Sequence, residues 1–375
     1  MPLFYTRFST DGARIAMQTA VAIVAWLAAA GTVASWARSR VLRLLAFVAV
    51  LLIGASPLTT VWHLAVLSES LSTSLSMFLL TAAAAAAARP TRLRFAALAV
   101  ATLLWAFARH INIAVLAASL PVLVGVTFRT REHRKLMAAY TLLSIVIVLW
   151  GGRAFFAESY ITTYNSTGLL FDRVLTKEEG QELVAERGLD VPAELRPFVG
   201  NYAPNAPAVL NSRVVYEWIE TKWTGTYAKW LLTQHEETWM APLRQAPHLL
   251  AGAILYSPAR QVLPHQVANL SGDMTRTNLV VWVALPLAAS LTALPARIRS
   301  RRREAVLIGW FFAAAIFTYY AVWWLSSTDL GRLMSPVAIL GRVLSIAALV
   351  VAIDTLAPAR QQAARRQFAA GPTCR

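Results

Sequence analysis

A single cysteine, Cys374 near the C-terminus, is all the thiol chemistry the 375 residues hold. No internal disulfide can form, and no thiolate cluster is available for a metal. Charge is scarce as well: Asp, Glu, Lys and Arg together make up 14% of the chain, and the shortage falls on the acids, 19 against 35 Lys and Arg. The histidines at 63, 110, 235, 248 and 265 show no HExxH or comparable ligand spacing, and no P-loop, GxGxxG or GxSxG element occurs. Zincin, ATP-driven and serine-hydrolase chemistries lose support accordingly. A cleavable signal peptide is not evident either, because the first strong apolar run begins near Ala13 without a basic stretch of the right orientation.

What the chain has in abundance is apolar sequence, 57% hydrophobic residues with a mean hydropathy of +0.52. Such a chain is too apolar for an ordinary soluble domain. Runs of about 17 to 25 apolar residues can cross the hydrocarbon layer as helices. Nine are expected, at about 13–36, 41–59, 70–88, 93–109, 111–128, 135–152, 277–296, 305–325 and 333–354. The pair 93–109 and 111–128 is interrupted by Arg109, His110 and Asn112, which predicts a tight hairpin or a broken re-entrant element. The expected fold is therefore an all-α polytopic membrane protein. Its parts are an N-terminal membrane module of about six helices (1–152), a mainly helical extracytoplasmic domain (153–276), a C-terminal module of about three helices (277–357) and a basic tail (358–375).

Basic clusters at Arg38 to Arg43, Arg89 to Arg94, Arg129 to Lys135, Arg297 to Arg303 and Arg360 to Arg366 occupy alternate gaps. By the positive-inside rule those gaps and the C-terminus face the cytoplasm, and the large loop lies outside. The net charge of +16 then orients helices and contacts anionic membrane lipids, and no nucleic-acid partner is implied. The same logic places residues 1–12 outside with nothing ahead of them to carry them across. Either the chain inserts N-out unaided or a first helix is missing.

Thirteen of the 19 acids fall in the large loop. Its first half, with Glu178, Glu179 and Glu182 before Gly188, reads as a short solvated helix. Its second half is rich in Trp218, Trp223, Tyr227, Trp230 and Trp239, the pattern of a helix lying along the membrane interface. Of the other six acids, Glu132, Glu304 and Asp354 sit among arginines on the cytoplasmic side as solvated or charge-balancing groups. Asp11, Glu69 and Asp329 fall at the outer boundary with His63, Arg14, Arg109 and Arg332. Ionisable groups there usually face a partner or a water-filled path. Helical spacing aligns Glu69, Thr73 and Ser76 on one stripe, so a carboxylate heads a hydroxyl-lined face. The alternative is a helix-end acid with small hydroxyl residues that merely pack helices together.

The segment Trp62 to Ser72 followed by Leu104 to Asn112 resembles the transmembrane module of bacterial glycosyltransferases of the GT-C superfamily. Shorter similarities are Gly225 to Leu232 in the large loop and Asp329-Leu330-Gly331-Arg332 ahead of the last helix. The resemblance implies transfer of a sugar from a polyprenyl-phosphate-linked donor to a cell-envelope glycan, lipid or protein on the outer face. It implies Asp11 and Glu69 as the candidate catalytic acids and His63, Arg109, Asn112, Tyr227, Asp329 and Arg332 as substrate-binding residues. Glu69 would orient the acceptor, bind a divalent ion or pair with an arginine. The acid of these families usually follows a first transmembrane helix, and Met1 to Tyr5 look like the far end of that loop. A transporter or lipid flippase, and a catalytically inert envelope scaffold, are the competing readings; internal repeats that a transporter should show are not seen.

Overall fold

The computed structural model describes residues 10–56, 59–60, 68–129, 133–157, 159–201, 206–252, 285–326 and 330–369. Among them the chain forms helices and no strands. The N-terminal module comprises α1 (Asp11–Ser35), α2 (Arg40–Ala55), α3 (Ser68–Ala88), α4 (Arg92–Ala108), α5 (His110–Arg129) and α6 (Arg134–Ala157). The intervening domain holds α7 (Ser159–Leu169), α8 (Glu178–Glu186), the single turn α9 (Pro207–Leu210), α10 (Arg213–Thr233) and α11 (Ala241–Gly252). The C-terminal part is α12 (Leu285–Leu325), the short α13 (Leu330–Leu333) and α14 (Ser335–Ala369).

Among the described residues, six stretches are long and apolar enough to cross a membrane: 11–35, 69–88, 110–128, 134–154, 303–325 and 335–355. Their outward faces carry large apolar side chains, among them Ile23, Val24, Leu149 and Trp150. Such a surface suits lipid and would be a liability in water. The structure thus fits a membrane-embedded all-α protein. Of the other three expected crossings, α2 and α4 are helices of 16 and 17 residues, at the short limit for a hydrocarbon crossing. Of the third, 277–296, residues 277–284 lie outside the described residues. Its residues 285–296 form the start of α12, which continues unbroken for 41 residues through the Arg297 to Arg303 cluster. Arginine is a strong helix former and neither glycine nor proline falls between Ala296 and Ile308, so a charge cluster that reads as a loop extends the helix instead.

Small residues set the packing of the first helices. α1 buries Ala22, Ala25, Ala29, Ala30 and Ala34 on one stripe, the kind of surface that lets membrane helices approach closely. Thr32 donates to Thr81 of α3 (3.4 Å), and Val21 packs beside Leu71 and Leu75. The two helices therefore run parallel, with Thr32 opposite Thr81 and Val21 against the Leu71–Leu75 turn. α2 lies against α1 through Gly54, where a Cβ would stand 2.5 Å from Cδ2 of Trp26. At the end of the bundle that holds the α1–α2 turn, Asp354 is only 4% exposed. It accepts the Arg38 backbone N–H (2.7 Å) and pairs with Arg301 and with Arg38 Nε (3.5 Å). The charge-balancing role expected of Asp354 holds, but the group is buried and ties α1, α12 and α14 together.

The intervening domain has its own core, centred on Phe171, Leu183, Leu189, Trp218, Trp223 and Trp230. The solvated helix expected before Gly188 is α8. It ends as glycine-terminated helices do: Gly188 takes φ +80°, its N–H donates to Ala185 O, and the Leu189 N–H reaches back to Val184 O. The aromatic face of α10 points into this core rather than along a membrane surface. Trp223, Tyr227 and Trp230 stack at centroid separations of 4.7 and 5.7 Å.

Candidate functional site

α4 and α5 are separated by one non-helical residue, Arg109, whose extended backbone (φ −149°, ψ 143°) turns the chain between them. Asn112 secures the turn: its N–H donates to Arg109 O (3.0 Å), and its Nδ2 donates to Trp105 O (2.7 Å), a carbonyl at the end of α4. The same amide donates to Ser72 Oγ on α3 (3.1 Å). Trp105 Nε1 in turn donates to Ser76 Oγ (3.0 Å). A polar knot of Ser72, Ser76, Trp105, Arg109 and Asn112 thus joins α3, α4 and α5 at one level of the bundle.

The hydroxyls on α3 direct their protons back along their own helix: Thr73 to Glu69 O, Ser74 to Ser70 O and Ser76 to Ser72 O, at 2.8, 3.2 and 2.8 Å. That arrangement lets hydroxyls sit in an apolar bundle without an unmatched donor. Ser76 consequently meets the Trp105 indole with a lone pair, and Ser72 accepts likewise from Asn112. Glu69 and Ser70 to Ser74 are all buried, Glu69 to 3% exposure. On α1, Gln18 is buried as well, at 1% exposure.

This knot closes one end of a cavity of about 1190 Å³ walled by α3, α4, α5, α6, α12 and α14. Apolar side chains such as Leu98, Leu116, Leu123, Val306 and Trp310 line its length. From Ser72 to Arg89, both of which line it, α3 rises about 25 Å. The cavity is therefore nearly as long as a hydrocarbon core is thick, about 30 Å. Arg109 lines the knot end and donates to Leu333 O (3.2 Å), which fixes the α4–α5 turn against α13. Arg89, Thr91, His133 and Arg303 line the opposite end.

The intervening domain is fastened at the Arg109 end. The Arg173 guanidinium lies 4.2 Å over the Trp323 ring and donates to Trp323 O (2.5 Å) and Ser326 O (2.8 Å), carbonyls where α12 finishes. Burial lowers its pKa, against the opposing pull of Tyr227, Glu237 and Asp172. Tyr227 donates its hydroxyl to Trp324 O (2.7 Å), and burial pushes its pKa up to about 12. The Trp323 and Trp324 indoles donate to Glu237 O and Thr238 O at 3.1 and 3.0 Å. Aromatic N–H and O–H groups thus match helix-end carbonyls on both sides of the seam.

Among the expected site residues, Arg109 and Asn112 come together, while Glu69 is buried on α3 one turn before Ser72 and does not line the cavity. Asp11 stands apart: it is exposed at the start of α1, pairs with Arg14 (2.9 Å), and lies roughly 13 Å of helix rise beyond Glu69. Tyr227 belongs to the domain seam and does not line the cavity. His63 and Asp329 lie outside the described residues, and of Arg332 only its place in α13 is described. The sequence reading passed over Gln18, Trp105 and Arg173. Gln18 carries a signal, a lone amide within an apolar run. Arg173 carries none, since it is one basic residue in a loop full of charge. Among the described residues no group of three or more His, Cys, Asp or Glu side chains is placed to hold a metal. No protein-family model, curated protein or solved structure matches this chain.

Proposed function

We propose that the protein is a multi-pass glycosyltransferase of GT-C type in the bacterial cell membrane, moving a sugar from a polyprenyl-phosphate donor to a cell-envelope acceptor. In this reading the chain crosses the membrane nine times, the intervening domain is extracytoplasmic and the C-terminus is cytoplasmic. One observation carries it: a long apolar cavity ends in a polar knot with a fixed arginine, at the same end of the bundle as the large domain. An isoprenoid chain suits the apolar length, and its phosphate suits the Arg109 end. The acceptor hydroxyl oxygen attacks the anomeric carbon, the carbon–oxygen bond to phosphate breaks, and polyprenyl phosphate departs as an anion that Arg109 stabilises. The hydroxyl proton passes to a carboxylate. Glu69, buried one turn from Ser72, is nearer the knot than Asp11, so Glu69 takes that role and Asp11 faces the incoming acceptor.

The test is transfer of label from a radiolabelled polyprenyl-phosphate hexose to envelope extract by the protein in proteoliposomes. Arg109→Ala should lower transfer about a hundredfold while insertion and folding persist. Activity that falls only in step with the amount of folded protein would remove Arg109 from the chemistry. Lipid transport is the second reading, favoured by the cavity's extension to basic residues at its far end. Label that crosses the bilayer without being covalently transferred would establish it instead.

A further inference from the structure

The far end of the cavity has a construction of its own. Arg303 of α12 donates to Ala88 O (3.4 Å), the last residue of α3. Arg94 of α4 donates to Ala85 O (3.0 Å) and Arg89 O (3.4 Å). With Arg89 itself, three guanidinium groups gather around one helix C-terminus. The carbonyls there offset part of the charge, but among the described residues no carboxylate pairs with any of the three. Arg301, on the same helix as Arg303, shows the contrast, since it is matched by Asp354 and Glu304. Arg89 and Arg303 are both exposed and both line the cavity mouth.

Behind that mouth the wall is apolar, formed by Phe95, Leu98, Leu123, Met137, Leu307 and Trp310. The next polar feature along α4 is Thr102, hydrogen-bonded to Tyr140 (2.9 Å). It lies about 16 Å of helix rise from Thr91, close to half the thickness of a hydrocarbon core. A cationic rim over an apolar shaft one leaflet deep has the charge and length of an anionic phospholipid. Basic pockets between transmembrane helices hold such headgroups.

We propose that the Arg89–Arg303 end of the cavity is a binding site for an anionic phospholipid, its phosphate on the arginine rim and one acyl chain in the shaft. The arginine rim is distinct from the Arg109 knot, although the acyl chain would share the shaft with the isoprenoid proposed above; the lipid site rests on membrane embedding alone, so its test does not depend on sugar transfer.

The experiment uses the full chain in phosphatidylcholine nanodiscs containing a small fraction of phosphatidylglycerol with a diazirine in its acyl chain. After irradiation, cross-linked peptides are mapped. Label is expected on the α4, α5 and α12 walls named above, and unlabelled phosphatidylglycerol should displace it where phosphatidylcholine does not. Replacing both rim residues, Arg89→Ala with Arg303→Ala, should reduce labelling roughly 30-fold, and Arg40→Ala at the same end should leave it unchanged. Equal labelling by a diazirine phosphatidylcholine, or full labelling of the double variant, would overturn the site. Complete competition by millimolar inorganic phosphate would also overturn it, by marking a soluble-anion site. The wild-type competition decides the matter even where the double variant does not insert.

Discussion

The two ends of the bundle handle charge in opposite ways. At the Asp354 end a buried carboxylate is shared by Arg38 and Arg301, and three distant segments are held by groups that satisfy one another. At the Arg109 end the charged group lies along a cavity wall, anchored to a backbone carbonyl, while amide, indole and hydroxyl groups do the joining. A bundle needs only the first arrangement to stay closed. The second places a cation where an apolar space of molecular size begins, and that difference separates a lock from a site.

The contrast predicts different kinds of loss. Removing the lock should cost stability: Asp354→Asn takes away the buried anion that Arg301 shares with the exposed Arg38 and leaves Arg301 only the longer contact to Glu304, worth about 3 kcal/mol. The check is thermal unfolding in detergent, and a variant as stable as the parent would show that the buried pair holds nothing together. Next in size is Arg109→Ala, which under the proposed function should affect transfer and not unfolding. A stability loss as large as that of Asp354→Asn would make the Arg109 end a second lock and erase the distinction.

The lock and the site were unequally legible. Hydropathy and charge located α1, α3, α5 and α6 to within a few residues, because a membrane helix must satisfy its backbone internally and so declares its length in apolar sequence. The break at Arg109 was legible for the same reason: Arg109, His110 and Asn112 interrupt an apolar run. The hydroxyl stripe below Glu69 followed from helical spacing alone. The lock was not legible, since Asp354 and Arg38 are 316 residues apart and nothing local pairs them. The inward turn of the α10 aromatics was hidden too. A tryptophan-rich helix suits either an interface or a core, and the choice depends on Phe171 and Leu189, which reach it from other segments. The continuity of α12 was missed because one arginine-rich run serves equally as loop and as helix.

A smaller effect probes the packing that carries both ends. Gly54→Ala would drive a methyl into the Trp26 indole, whose ring is held in the core at 4% exposure. Overpacking of this kind costs about 1–3 kcal/mol. A lowered unfolding temperature without change in the cavity's lipid labelling is expected, and an unchanged temperature would mean that α2 moves freely on α1.

The least costly change tests whether the domain seam behaves as lock or site. Tyr227 donates to Trp324 O within a stack of aromatic rings, so Tyr227→Phe removes one neutral hydrogen bond, about 1 kcal/mol. Its pH dependence is the sharper measure. The folded pKa of about 12 lies above the ordinary 10.0, because burial disfavours the phenolate. The seam's stability is therefore fully present below pH 10 and is lost as pH rises through about 12. In Tyr227→Phe that alkaline decline should flatten, read as the difference in unfolding temperature between variant and parent at each pH. A decline of the same steepness in both would show that Tyr227 does not titrate at the seam. It would leave Arg173 and the tryptophan indoles as what holds the domain against the end of α12.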